Sequence, residues 1–470
     1  MFQRILAWIR EVWSKMIGVS NIKTALAVDV AITPRMAEAL QLWSLMYNNF
    51  SPWLGRDVHS LNLAAAISAE IARTATIEMK IAITGSARAV WLQEQIDRLA
   101  LKLRHYTEYG CAKGGLMLKP YIDASGQIAV DVIQADMFYP VAFDASGNIT
   151  SCIFADQRTV GREYYTRLEY HSMTAEGCVI RNLAYRSLSR DTLGNQVPLS
   201  AVGDWAALLP EATITSVKKL LVGYFRYPTA NNIDVTSPLG VSCFARAVNL
   251  IEQADRQWSN LLWEFESGQR ALYTDAAAFK QDPVTGLPIL PNRRLYRTLE
   301  ESGEVGKGGL FEDWSPSLRE ENILRGLDAI LREIEFVSGL AYGTLSNPQT
   351  VDKTATEIKI SRQRSYATVT DTQKALKTAL DDLLYAMDVW ATLGNLAPRG
   401  SWAANYDFDD SVITDKDVQM TQDRQTVSGG MMPKYVFLMR NYGMDEASAR
   451  AWIADVTAEQ PADLFPGIPK

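Results

Sequence analysis

The chain has 470 residues, 47% of them hydrophobic and 21% charged, an ordinary globular composition that excludes a disordered or collagen-like chain and gives room for two or three cores. Its net charge of −7 argues against a surface built to grip nucleic acid throughout, because phosphate neutralisation supplies most non-specific affinity. It does not exclude a protein that DNA must pass without sticking.

Residues 2–17 place Ile5, Trp8, Ile9, Val12, Trp13 and Met16 on one face of an amphipathic helix, against Arg4, Arg10, Glu11 and Lys15. Two uses of it stand open: docking on the subunit itself or a neighbour, or lying on a membrane surface. The apolar run there is too short for a signal-peptide core. Elsewhere charges interrupt every apolar stretch before the roughly 18 to 20 residues of a membrane span. A soluble chain made in a cytosol is expected. Further helices are predicted around 34–48, 59–72 and 89–109.

From about residue 115 the pattern alternates. Leu116–Ile122, Ile128–Ile133, Ile149–Phe154, Tyr164–His171 and Cys178–Tyr185 read as the strands of an antiparallel meander. Asp123-Ala124-Ser125-Gly126 and Asp144-Ala145-Ser146-Gly147 are the same tetrapeptide, each ending in the Gly that a tight turn needs for positive φ.

Helical periodicity returns after Ser237-Pro238-Leu239-Gly240. Phe244, Val248, Ile251, Trp258, Leu262 and Phe265 make one stripe, and a run of about 26 residues would be roughly 39 Å long. An insertion rich in Pro and Gly follows over about 270–314, with strand-like stretches at Arg270–Thr274 and Arg294–Leu299. A second long helix is then predicted with Ser315 as N-cap and Pro316 at its first position. Leu318, Leu324, Leu327, Leu331, Ile334 and Val337 form its stripe, and Gly339 marks its end. Two long helices flanking a small β insertion make a stalk with a tip.

An uncharged loop, Ala341 to Thr350, leads to the capping box Thr354-Ala355-Thr356-Glu357, which opens a third helix. That helix is expected to run to Trp390. Its polar middle, Ser361 to Lys374, predicts a kink or a solvated stretch. An acidic extended segment at Tyr406–Ser411 and three helices split by Gly429-Gly430 and Gly443 close the chain.

Chemistry is not found. Cys111, Cys152, Cys178 and Cys243 have no CxxC spacing, and His59, His105 and His171 fall in no HExxH pattern, so no zinc site is expected. The glycines around Lys307 fail the phosphate-loop pattern, since Glu301 stands where its earlier Gly belongs and Gly308 follows the lysine. Glu264/Glu266 and Asp381/Asp382 share no helix face, so they form no acid–base pair. The expectation is a protein that is no enzyme and holds no cofactor.

The order of parts, an α/β body, helix, β tip, helix, uncharged loop, long kinked helix and helical tail, resembles the portal proteins of tailed bacteriophages. Local strings carry it. Phe138-Tyr139-Pro140-Val141-Ala142-Phe143-Asp144 with Gly147 looks like the family's strand–turn signature. Leu168-Glu169-Tyr170-His171 and Ile180-Arg181-Asn182-Leu183-Ala184-Tyr185 resemble its next strands. Leu239-Gly240-Val241-Ser242, opening a helix that carries Asp255, is like the first stem helix. Lys353-Thr354-Ala355-Thr356-Glu357 looks like the helix start after the tunnel loop. Phe408-Asp409-Asp410-Ser411 with Asp415, then Val427-Ser428-Gly429-Gly430-Met431, resembles the C-terminal signature of the branch in phages of Gram-positive hosts.

The resemblance implies an α+β portal fold. Its parts would be an N-terminal helix (1–22), a wing (23–240), a two-helix stem (241–269 and 317–340), a β clip (270–316), a tunnel loop (341–353), a long kinked helix with a return to the wing (354–408), and a crown-like tail (409–470). It implies a ring of about twelve copies at one capsid vertex through which double-stranded DNA is packaged, retained and ejected. Twelve helices side by side at about 8–10 Å leave a hole of about 21–28 Å, enough for a duplex roughly 20 Å wide.

The same resemblance implies partners and sites. The partners are the terminase, later a head-completion adaptor, and the major capsid and scaffolding proteins; the place is the virion. Asn347, Pro348, Gln349, Thr350 and Lys353 would touch DNA from the tunnel loop. Lys359, Arg362 and Arg364 would meet phosphates or a neighbouring subunit. Arg293, Arg294, Arg297, Glu300, Glu301 and Glu304 would form the clip's docking surface. Glu252, Glu264, Glu266, Glu320, Glu321, Asp328, Glu333 and Glu335 are the acids available to a channel wall or to bridges between subunits. A different virion, scaffold or membrane-peripheral protein using the 2–17 helix is the alternative.

Overall fold

A computed structural model describes residues 19–77, 79–123, 125–190, 192–269, 271–275, 280–283, 296–299, 311–314, 316–348, 355–408 and 416–458. The expected 2–17 helix lies outside the described residues. The chain forms two units: one takes residues up to Ile77 and Ile81–Tyr406, the other Glu78–Lys80 and everything from Asp407.

The first unit opens with α1 (Val19–Leu26), α2 (Pro34–Tyr47), α3 (Leu63–Thr76) and α4 (Ala87–Lys113). In α2 the Thr33 side chain accepts from the Met36 N–H and Pro34 holds the first helical position, the arrangement expected of a helix start. Met36, Leu40, Trp43 and Met46 fall on one face and are buried. Helix α3 begins four residues later than the sequence predicts, because the preceding segment is bonded elsewhere. The His59 N–H donates to Ser259 Oγ (2.8 Å), the Leu61 N–H to Asp255 Oδ1 (2.8 Å), and Trp53 Nε1 to Asp255 Oδ2 (2.9 Å).

Two sheets form the body. In one, β2 (Gly115–Ile122) lies between β3 (Ile128–Gln134) and β10 (Gly223–Arg226); in the other, β4 (Phe138–Phe143), β5 (Ile149–Val160), β6 (Glu163–Thr174), β7 (Gly177–Ser187) and β8 (Asn195–Val197) follow in chain order, with β9 (Glu211–Thr215) also on β7. A two-stranded sheet pairs β1 (Met79–Gly85) with β14 (Trp402–Phe408). The twin tetrapeptides turn alike: Gly126 and Gly147 take φ of 74° and 79°. Each Asp carboxylate accepts two backbone N–H groups, Asp123 from Ser125 and Gln127, Asp144 from Ser146 and Asn148.

Between these sheets lies a buried ionic cluster. Glu169 takes Lys119 Nζ at 2.7 Å and Arg167 Nη2 at 3.0 Å on one oxygen and His171 Nε2 at 2.6 Å on the other. Burial pushes its carboxyl up, but Lys119, His171 and Arg167 outweigh burial and hold it well below the usual value.

The stalk is α5 (Val248–Ser267) and α6 (Glu320–Ser338), packed on each other. Helix α5 has 20 residues, about 30 Å, shorter than the expected 39 Å because residues 245–247 form a 3-10 turn before it. The second helix does not start at Pro316. Residues 316–319 are non-helical, Arg319 is the N-cap, and its backbone N–H donates to Glu264 Oε1 at 3.0 Å instead of to a local cap. The tip between them is a three-stranded sheet with β11 (Ala271–Asp275) central, parallel to β12 (Tyr296–Leu299) and antiparallel to β13 (Phe311–Trp314). The third strand is absent from the sequence reading, since Phe-Glu-Asp-Trp is too short to show a period.

Helix α7 (Ala355–Leu393) is continuous over 39 residues. Its polar middle is accommodated within the helix: Thr368 and Thr372 donate their hydroxyls to carbonyls four residues back, as Thr378 does just beyond it. Its later turns lie on β10 and β2 so closely that a Cβ on Gly223 would sit 2.2 Å from the Ala379 carbonyl oxygen. The fully buried Arg88 then donates to the carbonyls of Asp388, Ala397 and Pro398, joining the end of α7 to the start of α4.

The second unit contains α8 (Lys416–Ser428), α9 (Lys434–Tyr442) and α10 (Glu446–Ala458). Gly443 ends α9 in the left-handed region at φ 67°. Asp423 accepts from Arg440 and Asn441, and Arg450 lies over the Tyr435 ring at 4.0 Å.

Candidate functional site

The functional candidates converge on the stalk and on the segment that leaves it. At the end of α6, Gly339 takes a left-handed φ of 73° and the Leu340 N–H closes on the Glu335 carbonyl at 2.9 Å. The chain then folds back over the last turns of α6. The Glu335 carboxylate is fully buried and is the centre of this fold-back. Its Oε1 accepts the N–H groups of Gly343 (3.1 Å), Leu345 (2.5 Å) and Ser346 (2.9 Å), and its Oε2 accepts the Ser346 hydroxyl at 2.8 Å. Two turns earlier, Asp328 Oδ1 accepts the Asn347 N–H at 2.8 Å while Oδ2 takes Arg332 Nη2 at 2.5 Å. From α7, the Arg364 guanidinium lies over Phe336 at 4.3 Å and Tyr342 at 5.5 Å, a cation–π arrangement.

Successive residues on an α-helix turn by about 100°, and this fixes what each stalk helix shows. Gln257 and Glu264 of α5 face α6: Gln257 Nε2 donates to the Ile323 carbonyl, and Glu264 accepts from Arg319 Nε at 3.1 Å and Nη2 at 2.7 Å. Leu262 and Trp263 are therefore turned away, 38% and 62% exposed. On α6 the face opposite α5 carries Leu324, Arg325, Asp328 and Arg332. With Leu345 and Pro348 these line an open groove of about 960 Å³. Each helix thus presents an outer face with unburied apolar groups, Leu324 being 45% exposed. The two helices carry nine acidic residues against three arginines, a net charge of −6 where the whole chain has −7.

The sequence candidates differ in where they fall. Asn347 and Pro348 are exposed beside the groove, whereas Gln349, Thr350 and Lys353 lie outside the described residues. So do Arg293, Arg294, Glu300, Glu301 and Glu304. Arg297 falls on β12 and Lys359 and Arg362 on α7, with side chains outside the described set. Arg364 is engaged within its own subunit by Phe336 and Tyr342.

The eight stem acids separate by environment. Glu266, Glu321 and Glu333 are exposed and Glu320 is partly so, while Glu252 pairs with Arg256 at 2.8 Å and Asp328 with Arg332. Glu264 and Glu335 are corrected: both are buried and saturated with donors from their own chain, so neither offers a free charge to a channel. Arg319 holds the Glu264 carboxyl below its ordinary range. Sequence reasoning missed Arg319, Tyr342 and Ser346, whose roles depend on contacts between elements. Among the described residues no group of three or more His, Cys, Asp or Glu is placed to hold a metal, and no helix is long and apolar enough to cross a membrane.

An α+β body, a two-helix stalk with a β tip, and a loop folded back on the stalk define a structural subunit of the portal class. Residues 84–461 match the family model described as phage portal protein, SPP1 Gp6-like. The chain belongs to that family. No curated protein matches it. A chain from the neck of a native GTA particle, computed with C12 symmetry, is similar at 12% identity and a TM-score of 0.41, covering 90% of this chain and 99% of that one; a likeness that loose carries no argument here.

Proposed function

We propose that this protein is the portal subunit of a tailed phage, closing with about eleven further copies into a ring at one capsid vertex, a number that suits helices spaced about 8–10 Å apart around a duplex. Double-stranded DNA passes through the ring without sequence recognition during packaging, retention and ejection. The observation that carries this beyond family membership is the stalk. Its two outer faces are different, both carry unburied apolar groups, and they look away from each other. Such a hairpin packs head to tail on copies of itself, α5 of one against α6 of the next, and a head-to-tail interface whose rotation closes gives a ring.

The stem's concentration of negative charge suits a conduit. Phosphates find little attraction on an acidic wall, so the strand is not trapped. Glu266, Glu320, Glu321 and Glu333 are the acids free to serve there. Residues 341–353 act as the tunnel loop, with Asn347, Pro348, Gln349, Thr350 and Lys353 nearest the duplex; Lys359 and Arg362 meet phosphates or the adjoining copy. The tip, 270–316, docks the packaging terminase and then the head-completion adaptor through Arg293, Arg294, Arg297, Glu300, Glu301 and Glu304. Residues 23–240 form the wing and 409–470 the crown, where capsid and scaffolding proteins are met in the virion.

Native mass spectrometry of the purified chain tests the assembly. A closed species of about twelve copies is expected from the ring geometry; a monomer at every concentration overturns the reading. Deleting Asn347 to Thr350 should abolish packaging or retention of DNA while leaving the ring intact, and unchanged packaging removes the loop from the mechanism.

A further inference from the structure

We infer that Glu335 is the positioning residue of the tunnel loop: its buried carboxylate locks segment 343–346 to helix α6, so that the loop's base and the stem move as one body. The inference rests on the portal reading for its consequence and on geometry for its substance. A fully buried acid near the end of a helix would ordinarily be a burden, since an uncompensated carboxylate away from water is costly. Here three backbone N–H groups and one hydroxyl, all from residues 343–346, converge on it. Those donors belong to a segment with no strand or helix of its own, so no ladder satisfies them, and the carboxylate is their acceptor. The Gly343 N–H also reaches Ser346 Oγ at 3.2 Å, while the Leu345 and Ser346 N–H groups are bonded to the carboxylate.

Two contacts extend the lock in both directions. Asp328, two turns back on α6, accepts the Asn347 N–H and is itself held by Arg332. Tyr342, at the start of the segment, lies under Arg364 of α7, which also covers Phe336, the residue after Glu335. The exit direction of the chain at Pro348 is therefore set by α6 and α7 together. A displacement of the stem carries the loop base with it, and a force on the loop is delivered to the stem through short, charge-assisted hydrogen bonds, the strong kind. This assigns Glu335 to communication inside the subunit and takes it away from contact with DNA.

The test uses the full chain with Glu335→Gln, which keeps the shape and one acceptor oxygen but removes the charge and the second acceptor. Ser346→Ala is the milder companion, since it removes one donor and leaves the acid. Three readouts are taken: assembly by native mass spectrometry, amide hydrogen exchange over 341–348, and DNA packaged and retained in particles. The expected result for E335Q is an unchanged ring, exchange at Leu345 and Ser346 at least roughly tenfold faster, as for the loss of a hydrogen bond to a charged group, and reduced packaging or retention. S346A should show a smaller shift of the same sign. Exchange unchanged in E335Q overturns the lock. Faster exchange with wild-type packaging and retention overturns the positioning role. Should the wild-type chain itself support no packaging while exchange still responds, the portal reading fails and the lock stands.

Discussion

Replacing Trp263 with Ser should leave the subunit folded and weaken its assembly. Trp263 lies on the side of α5 turned from α6 and is 62% exposed in the subunit, so its loss opens no cavity and strands no buried partner. A Trp side chain presents roughly 150–250 Å², so about 90–155 Å² of it is free for a neighbour to cover. At about 25 cal/mol per Å² that is about 2–4 kcal/mol per interface, a factor of roughly 30 to 1,000 in the constant for each contact. Size distribution against concentration, by sedimentation or native mass spectrometry, should show the variant's ring dissolving at concentrations where the wild type is fully assembled. Circular dichroism and thermal melting of the monomer should match the wild type. Assembly of W263S at wild-type concentrations would show that this face is not the interface. Loss of monomer structure would show that it packs within the subunit, and the reasoning from the helix faces would be refuted either way.

Other outcomes follow from the wing and the core. Glu169→Gln leaves buried Lys119, Arg167 and His171 facing a neutral group, which should cost about 3–5 kcal/mol as for any half-broken buried pair; adding Lys119→Met should recover part of that loss in a double-mutant cycle. Because Lys119, His171 and Arg167 hold the Glu169 carboxyl well below 4.5, its contribution is present above that pH and lost as pH falls through the lowered folded value. A wild-type melting temperature that dropped no faster than that of E169Q below pH 4.5 would contradict this assignment. Gly223→Ala should destabilise the packing of α7 on β10 by about 1–3 kcal/mol, since the new Cβ meets a carbonyl oxygen rather than a movable side chain. Cys111, Cys152, Cys178 and Cys243 are all buried, and burial raises each thiol, Cys178 to about 11 and Cys243 to about 12. A thiol reagent at pH 8 should find four groups in denaturant and none in the folded chain.

The parts of the fold governed by local rules were legible in the sequence. The meander could be read because its faces alternate, and the two Asp-Ala-Ser-Gly turns because glycine is needed where φ is positive. The stalk helices were visible as stripes, and Gly268 and Gly339 marked where they stop, though their starts were not legible. The start of α6 at Glu320 depends on Arg319 finding Glu264, a residue 55 positions away, and the start of α3 depends on Asp255 and Ser259 of α5 taking the donors of His59 and Leu61. The local start signal at Pro316 lost to Glu264, and Ser315 lies outside the described residues. The acids show the same division. Nothing in the sequence separates Glu335 and Glu264 from Glu333 and Glu266, since burial of a carboxylate is decided by which donors the fold delivers to it. Strand β13 went unseen because four residues carry no period, and its pairing with β11 is settled by closing the stalk's two ends together.

Electron microscopy of the purified assembly, averaged about its own symmetry axis, tests the central claim most directly. The account predicts a ring whose innermost wall is built from α5 and α6 of successive copies, enclosing a hole of about 21–28 Å, as helix diameters and spacings require. Particles without a central hole, or a ring in which the stalk helices lie inside each subunit and leave no passage as wide as a duplex, would contradict it.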